Sequence, residues 1–402
     1  MNQAVSDITG IVEATPNSLA WREFKGTYLT KSYTLTGKLQ DFKNPKITTT
    51  LDGADVQLKA DIAKEDTLVT INQLEGKYLN IAFGVTGTAL VPTQGNPTVN
   101  VKTTSTFRLE DIIRMLPEDQ RKPIDPLKLT GAMNVTAQVK GSPTDWKNLT
   151  VDAVIESPQV NIMQYKLDTL KIDIAQAGGK ITHLITDLIL YDGKVHAVAS
   201  ANLIPTTMPF ELALNIDNLN VSKVIKAVPV DKDIRGQLYL TAVTNGELTK
   251  FMDLTGRGSL AIREAYLADF DLLKGLLEPL KIIIKDSNVL INEVQSNFTL
   301  GEQKVTTSNL QLMGPTVNLL GDGWVSFDQH INMHITAPSD LNQNSPMPME
   351  LRGIIDIDVT GKLASPKVKP NFTAGTLMNV AGSKVMNQTV ESGLKLLQKI
   401  LP

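Results

Sequence analysis

The sequence predicts a mainly β protein: a long, twisted antiparallel β-sheet curled into an open groove and built from repeated units, with a few short helices and a C-terminal amphipathic helix. The first observation behind this prediction is the alternation of apolar and polar residues in short segments from Arg235 to Phe327, separated by Gly or Asn-Gly. The second is the scarcity of helical periodicity. The third is a count of roughly 25 strands with one aliphatic face, which so few helices cannot cover.

Composition excludes several classes of function. The 402 residues show no compositional boundary, which predicts one elongated body. A net charge of -3 and the lack of a dense Lys and Arg cluster argue against nucleic acid as a partner. Because the chain has no cysteine, it can form no disulfide, no thiolate nucleophile and no Cys-ligated zinc site.

The sequence has no run of about 20 apolar residues that would predict a membrane-spanning helix. Its first ten residues, MNQAVSDITG, lack the basic and apolar regions of a secretion signal. We expect either a soluble protein or a chain whose signal or membrane anchor lies outside this sequence, and the strand-like start at Ile11 to Glu13 favours the second.

Strands alternate with short interruptions through the first half of the chain. Glu110 and Asp111 suit the first turn of a short helix within FRLEDIIRMLP, and the charged segment from Pro117 to Pro126 predicts a solvated loop. Asp192-Gly193 predicts the two central residues of a type I′ hairpin turn. Strands are predicted over 29–39, 47–58, 68–90, 99–107, 127–140, 149–155, 167–174, 181–190, 194–203 and 210–216.

An internal repeat is visible where two strands end. The segment from Leu219 to Pro229 matches the segment from Phe107 to Pro117 in length and in its apolar positions. Both copies follow one strand and precede another. This predicts one supersecondary unit that is used twice.

The second half of the chain continues the pattern and then changes. Phe270 to Leu277 predicts a short helix that Pro279 limits, Ala337 to Pro348 predicts a loop, and Leu351 to Leu363 predicts a strand. From Thr376 to Leu401, apolar residues recur at spacings of three and four, which predicts the terminal amphipathic helix.

The histidines and aspartates that could bind a metal or act in catalysis are predicted to have structural roles instead. His330 and His334 share the polar face of a strand, and the predicted hairpin register pairs residue 183 with 202 and residue 196 with 189, so that His183 and His196 are not opposite each other. Asp356 and Asp358 alternate with Ile355, Ile357 and Val359, which indicates the solvated side of a strand rather than an acid-base pair. No metal site and no cofactor are expected.

Two Gly-x-Gly pairs fit no nucleotide-binding motif. Gly256 and Gly258, and likewise Gly321 and Gly323, are predicted to open a strand rather than a helix, and the remaining residues of a dinucleotide or phosphate motif are missing. We interpret them as glycines at strand edges or bulges.

The aliphatic faces must be covered: a sandwich would cover them with a second sheet, whereas one long curled sheet would leave an apolar trough that is stable in water only if it is occupied or closed. Aromatic residues make up only 5% of the chain, so the lining suits flexible acyl chains better than stacked rings. Alternation within the strands assigns ten residues to this apolar surface as candidate lipid contacts. They are Leu238, Leu240, Leu260, Ile262, Phe298, Leu300, Leu312, Leu319, Val325 and Ile335.

Several segments together resemble the C-terminal region of the AsmA-like family, the AsmA- and TamB-type bridge-like lipid transfer proteins. They include Gly236-Gln-Leu238, the run from Leu254 to Ile262, the run from Ala268 to Leu273, Gly321 to Phe327, and Val359 to Val368 with its G-x-L-x-x-P strand entry. The similarity is strongest over 220–372 and is limited to the strand pattern over 1–219. We therefore divide the chain into a repeat-built β-groove segment (1–219), an AsmA-like C-terminal β region (220–372) and the C-terminal amphipathic helix (373–402).

The resemblance implies a bacterial envelope protein with no catalytic motif. It implies a periplasmic β-groove that carries phospholipid between the inner and outer membranes, held to the inner membrane by an N-terminal helix that this sequence lacks. Its partners would be phospholipid acyl chains, the inner and possibly the outer membrane, and other envelope proteins. The alternative is a β-repeat scaffold, or an outer-membrane assembly factor, that binds proteins through its strand edges.

Overall fold

The computed structural model describes residues 5–227, 234–266, 291–315, 318–337, 356–363 and 365–371. In these ranges the chain forms 23 strands of one antiparallel sheet and only short helices, which confirms the mainly β fold class. The chain divides into two compact units, Met1–Leu190 with His196–Phe210 and Tyr191–Val195 with Glu211–Pro402. The boundaries predicted at 219/220 and 372/373 stay predictions.

The strands are 3 to 13 residues long. They are β1 (Ser6–Thr15), β2 (Ser18–Tyr28), β3 (Lys31–Gln40), β4 (Lys46–Gly53), β5 (Val56–Glu65), β6 (Leu68–Tyr78), β7 (Ile81–Leu90), β8 (Thr98–Arg108), β9 (Thr130–Gly141), β10 (Thr150–Ser157), β11 (Val160–Ile162), β12 (Tyr165–Ala177), β13 (Lys180–Leu190), β14 (Gly193–Asn202), β15 (Pro209–Asn220), β16 (Arg235–Glu247), β17 (Thr255–Tyr266), β18 (Glu293–Gly301), β19 (Lys304–Met313), β20 (Asn318–Ser326), β21 (His330–Thr336), β22 (Asp356–Lys362) and β23 (Ser365–Pro370).

The described helices are short. They are α1 (Leu109–Met115), α2 (Glu118–Arg121) and α3 (Val221–Lys226), with 3-10 helices at Asp125–Leu127, Trp146–Asn148 and Leu248–Asp253. The sequence predicted α1 and α3, and both predictions are confirmed. No helix among the described residues is long and apolar enough to cross a membrane.

The first unit has one aliphatic face with little covering it. Leu39, Ile47 and Ile62 are consecutive cross-strand partners in β3, β4 and β5. Like most apolar side chains of this face they are only half-buried, because a single sheet layer covers them from one side. Full burial is concentrated beneath α1 and around β11, where the fully buried residues Met133, Val160 and Leu167 pack together.

The segment from Pro117 to Pro126 contains a helix, so the prediction of a loop there was wrong. Pro117 precedes α2, Glu118 lies in its first turn, and Lys122 pairs with Glu118 at 3.2 Å. A proline just before the first turn and an acidic first turn both favour a helix start, even in a highly charged segment. The helix has no buried residue, so its solvated character was predicted correctly.

The hairpin turn lies one residue earlier than predicted. Tyr191 and Asp192 both have positive φ, at 46° and 69°, and β14 begins at Gly193. A type I′ turn needs positive φ at its two central residues, so Tyr191-Asp192 fills this role instead of Asp192-Gly193. The change of register brings His196 to Asp187, with Nδ1 and Oδ1 2.7 Å apart, and the predicted pairing of residue 196 with residue 189 was wrong.

The internal repeat corresponds to equivalent local structure in each unit. Phe107 and Leu219 are each the second-last residue of a strand, and α1 and α3 each begin two residues later. Leu109 packs against the buried cluster of the first unit, and Val221 packs against that of the second. Each copy therefore turns a strand end into a helix that covers part of an apolar sheet face.

The second unit contains the larger core. Most of its buried residues come from β17 to β22, and Ile357, Val359 and Leu319 are the most completely buried, with 0%, 1% and 1% exposure. The predicted helices at Phe270–Leu277 and 373–402, and most of the predicted loop at Ala337–Pro348, lie outside the described residues.

Candidate functional site

The strand register places all ten predicted residues on one face of the second unit's sheet. Five residues form one row of consecutive cross-strand partners from β16 to β20, namely Leu238, Ile262, Val294, Leu312 and Leu319. A β-bulge in β19 lies between Thr307 and Leu310 and shifts the alternation by one residue. This bulge keeps the even-numbered Leu310 and Leu312 on the same face as the odd-numbered Val305.

The other predicted residues join this face through neighbouring rows. Leu240 pairs with Leu260, and Leu300 pairs with Val305, which pairs with Val325. Ile335 is opposite Gly321, and Phe298 is opposite Gly258. The Phe298 ring lies over Gly258, where any side chain would overlap it.

This face contains an apolar cleft of about 470 Å³, a volume typical of ligand pockets, which span about 300–1,000 Å³. Six of the ten predicted residues line it: Leu260, Ile262, Phe298, Leu312, Val325 and Ile335. Leu319 lies on the same face as part of the buried core. Leu238, Leu240 and Leu300 lie on that face outside the lining.

The prediction missed nine apolar lining residues, which are Val221, Ile225, Ile234, Val294, Val305, Leu310, Ile331, Met333 and Val359. Alternation could have found most of them, because Ile331 and Met333 alternate with His330 and His334. No sequence signal places α3 against the cleft. Its residues Val221 and Ile225 reach the lining only because the helix folds back onto the apolar face.

The cleft contains two polar side chains, Ser296 and Thr307, and they satisfy each other. Their hydroxyl oxygens are 2.7 Å apart, and the Thr307 hydroxyl also lies 3.3 Å from Asn309 Oδ1. None of the 17 lining residues is titratable. The lining therefore offers a ligand dispersion contacts and apolar burial, and no charge.

The opposite face of the same strands carries the polar groups. Thr241 and Ser259 join their hydroxyls at 2.7 Å, and the guanidinium of Arg263 lies 5.0 Å from the centre of the Tyr239 ring. These residues border a second, polar cleft, which Leu240 and Leu260 also border. Each strand of this region thus separates an apolar side from a polar one.

The histidines lie on polar surfaces, each beside a carboxylate. His334 Nδ1 is 3.0 Å from Asp358 Oδ1 and 3.6 Å from Asp356, and Asn371 donates hydrogen bonds to both carboxylates. The hydrogen bond to Asp358, with the nearby carboxylates, raises the pKa of His334 above its ordinary value. The bonds from Asn371 and His334 lower the pKa of Asp358.

The other histidines have comparable partners. His330 Nδ1 lies 3.0 Å from Asp328, and His183 Nε2 lies 3.4 Å from Asp173. Within the described ranges, no group of three or more His, Cys, Asp or Glu side chains could hold a metal ion. The His183–Asp173 pair joins the neighbouring strands β13 and β12, and the His330–Asp328 pair lies at the turn between β20 and β21.

Gly321 and Gly323 lie in the middle of β20, so the prediction that they open the strand was wrong. They lie opposite the β-bulge between Thr307 and Leu310, which agrees with their interpretation as bulge glycines. Gly323 has a φ of 140°, and a Cβ there would overlap the Asn332 carbonyl oxygen of β21. A Cβ on Gly321 would lie 2.7 Å from the Ile335 side chain. These glycines let β21 and the side chains above the sheet approach closely next to the cleft.

Comparison of the chain with family models, with curated proteins and with solved structures finds no match. The geometry of the cleft and the sequence resemblance to the AsmA-like family are therefore the two observations that bear on function.

Proposed function

We propose that this chain binds lipid acyl chains in the apolar cleft of its second unit and carries phospholipid between the inner and outer membranes. The observation that supports this proposal is the lining, in which 15 of 17 residues are apolar and the two hydroxyls bond to each other. An aliphatic surface open to water is unfavourable unless an apolar ligand covers it, and aliphatic chains are the ligands that match it.

The size of the cleft suits an acyl chain. The lining extends over β17 to β22, which is six strands and five spacings of about 4.8 Å, or about 24 Å. One leaflet of a bilayer has a hydrocarbon depth of about 15 Å, half of about 30 Å. A phospholipid chain therefore fits along the cleft.

The proposal also assigns the protein a cellular location and a physiological role. As the AsmA-like resemblance implies, the protein would act in the periplasm at the inner membrane and would support outer-membrane lipid homeostasis. It assigns no catalytic step and no cofactor to the chain.

The test is a pair of substitutions at adjacent residues of β17. Leu260 lines the cleft and Ser259 lies on the polar face, and both are half-buried. Leu260→Asp places a carboxylate beside the acyl chain, where desolvation costs about 2 kcal/mol or more, so lipid binding should weaken by at least about 30-fold. Ser259→Asp should leave lipid binding within a few-fold of wild type.

The measurements are mass spectrometry of the lipid extract from purified protein, transfer of labelled phospholipid between vesicles, and a melting curve of each variant. We expect co-purifying phospholipid in the wild type and in Ser259→Asp, and a folded but lipid-free Leu260→Asp. Absence of lipid from the wild type, together with an unfolded Leu260→Asp, would show a dry packed core and overturn the proposal.

A second candidate function is protein binding through a strand edge, which β1 favours. All ten residues of β1 are exposed, and Ile8 and Val12 are 55% and 54% exposed. β1 contains no Pro and no Lys, the residues that commonly protect an edge strand, whereas β23 contains Pro366, Lys367 and Lys369. Under this alternative, substitutions in β1 would abolish function and Leu260→Asp would leave it intact.

A further inference from the structure

We propose that the polar cleft, on the opposite face of the second unit's sheet from the apolar cleft, binds a short, uncharged oligosaccharide. This site does not depend on the proposed lipid binding. Its volume is about 470 Å³, within the range of about 300–1,000 Å³ that ligand pockets span. The proposal follows from the chemistry of the lining and from the hydrogen-bonding groups that the protein leaves without a partner there.

The strand register gathers the polar side chains of this cleft into two rows. The first row of consecutive cross-strand partners, from β16 to β19, is Tyr239, Ala261, Gln295 and Gln311. The next row along β16, β17 and β18 is Thr241, Ser259 and Asn297. Four strands about 4.8 Å apart give the first row a length of about 14 Å, which suits a ligand of several sugar rings rather than one.

Five side-chain amides line the cleft, and together they offer both donors and acceptors. They are Asn215, Gln295, Asn297, Asn309 and Gln311. Gln295 donates from Nε2 to Glu293 at 2.7 Å, which leaves its Oε1 as an acceptor, and Asn309 accepts the Asn297 backbone N–H at 2.9 Å, which leaves its Nδ2 as a donor. Within the described part of the chain, the side-chain amides of Asn215, Asn297 and Gln311 have no hydrogen-bond partner. Each of these three presents two donor hydrogens and an acceptor oxygen.

The charges of the lining cancel. Arg263 is its one cation and Asp217 its one anion, and both are exposed. The guanidinium of Arg263 stacks on Tyr239, whose hydroxyl donates to Asn218 Oδ1 at 3.1 Å, so the ring and the cation hold each other in place. A polyanion such as an oligophosphate would meet Asp217 as well as Arg263, so the cleft favours an uncharged ligand that can use the guanidinium N–H donors.

A sugar chain is the uncharged ligand that matches this lining. Each of its hydroxyls donates one hydrogen bond and accepts up to two, which answers both the amide oxygens and the amide and guanidinium N–H groups. An extended peptide binds a sheet by pairing its backbone with a strand edge, whereas this cleft presents the faces of β16 to β19. An acyl chain would dehydrate the amides without replacing their hydrogen bonds with water, which is unfavourable.

The experiment is calorimetric titration of the full chain with maltotriose, cellotriose and N-acetylated chitotriose, with trigalacturonate and triglycine as comparators. We expect at least one neutral trisaccharide to bind with a Kd below about 1 mM. Raising the ionic strength from about 0.1 M to about 1 M shortens the Debye length from about 10 Å to about 3 Å, and should change this Kd by less than about two-fold because the ligand is uncharged.

Three variants locate the binding, and a melting curve checks that each is folded. Asn297→Ala should weaken binding about five-fold and Arg263→Ala about ten-fold, through the hydrogen bonds lost. Asn332→Ala is the matched control, because Asn332 is an equally exposed strand asparagine on β21 outside the lining, and it should bind like wild type. No binding of any neutral trisaccharide, tighter binding of trigalacturonate or triglycine, or equal effects of Asn297→Ala and Asn332→Ala would overturn the proposal.

Discussion

Replacing Ile357 with alanine tests whether the buried cluster of the second unit is a packed core. Ile357 lies in the middle strand of three, between Ile335 of β21 and Pro370 of β23, and has 0% exposure. Its neighbours Ile335 and Val359 are 4% and 1% exposed, so little rearrangement is available to fill the space that a smaller side chain would leave.

The expected loss follows from the atoms removed. Ile357→Ala deletes three carbon groups, worth about 0.8 kcal/mol each, or about 2.4 kcal/mol of transfer free energy. The cavity left behind adds to this, and a total of about 3–4 kcal/mol lies within the range of about 2–5 kcal/mol for such substitutions. Ile357→Val, which removes one group, should cost about 1 kcal/mol.

The assay is urea unfolding followed by circular dichroism, which gives the free energy of unfolding from the midpoint and the slope. Thr360→Ala is the matched control, because Thr360 lies on the same strand and is exposed. Its effect should stay within about 0.5 kcal/mol. If Ile357→Ala and Thr360→Ala had equal effects, the reasoning that places Ile357 in a packed core would be refuted.

Three further substitutions test the backbone and the polar face. Gly323→Ala should lower the free energy of unfolding by about 1–3 kcal/mol in urea titrations, because its φ of 140° and the overlap with β21 penalise a side chain, whereas Gly301→Ala, with no atom within 4 Å, should be nearly neutral. Asp192→Gly should melt at a higher temperature than Asp192→Ala, through a difference of about 0.5–1 kcal/mol, because both variants lose the ion pair with Lys223 and only glycine adopts the positive φ without strain. Wild type should exceed His334→Asn in stability at pH 5–6 and lose that advantage as the pH rises, because a raised pKa stabilises the fold only while the imidazole is protonated.

The stability that the His334–Asp358 pair contributes is also expected to decrease at low pH. The pKa of Asp358 is lowered, so its contribution is complete above its ordinary value of 3.8 and is lost as the pH falls further. The pair should therefore stabilise the fold most between about pH 4 and 6.5. A constant difference between wild type and His334→Asn from pH 5 to pH 9 would contradict this. Equal losses of stability in Gly323→Ala and Gly301→Ala would contradict the backbone strain at Gly323. An Asp192→Gly variant less stable than Asp192→Ala would contradict the assigned turn.

The apolar cleft shows which of its residues can be located from the alternation of apolar and polar residues along a strand. Side chains on a strand point alternately to two faces, so the spacing of Leu260 and Ile262 was enough to place them together. Alternation also carried the information for Ile331 and Met333, which alternate with His330 and His334 along the same strand. The bulge in β19 was not visible in the sequence, because an inserted residue leaves the local composition unchanged.

The sequence by itself determined the fold class and the face on which each apolar strand residue lies, because both depend on a period of two along the backbone. Only the tertiary structure decided which of those residues line the cleft and which, like Leu319, are buried without lining it. That distinction depends on the inter-strand register and on α3 folding over the sheet, and both are set by contacts between residues far apart in the chain. The hairpin at Tyr191-Asp192 shows the same limit, because one residue of turn register decided that His196 meets Asp187.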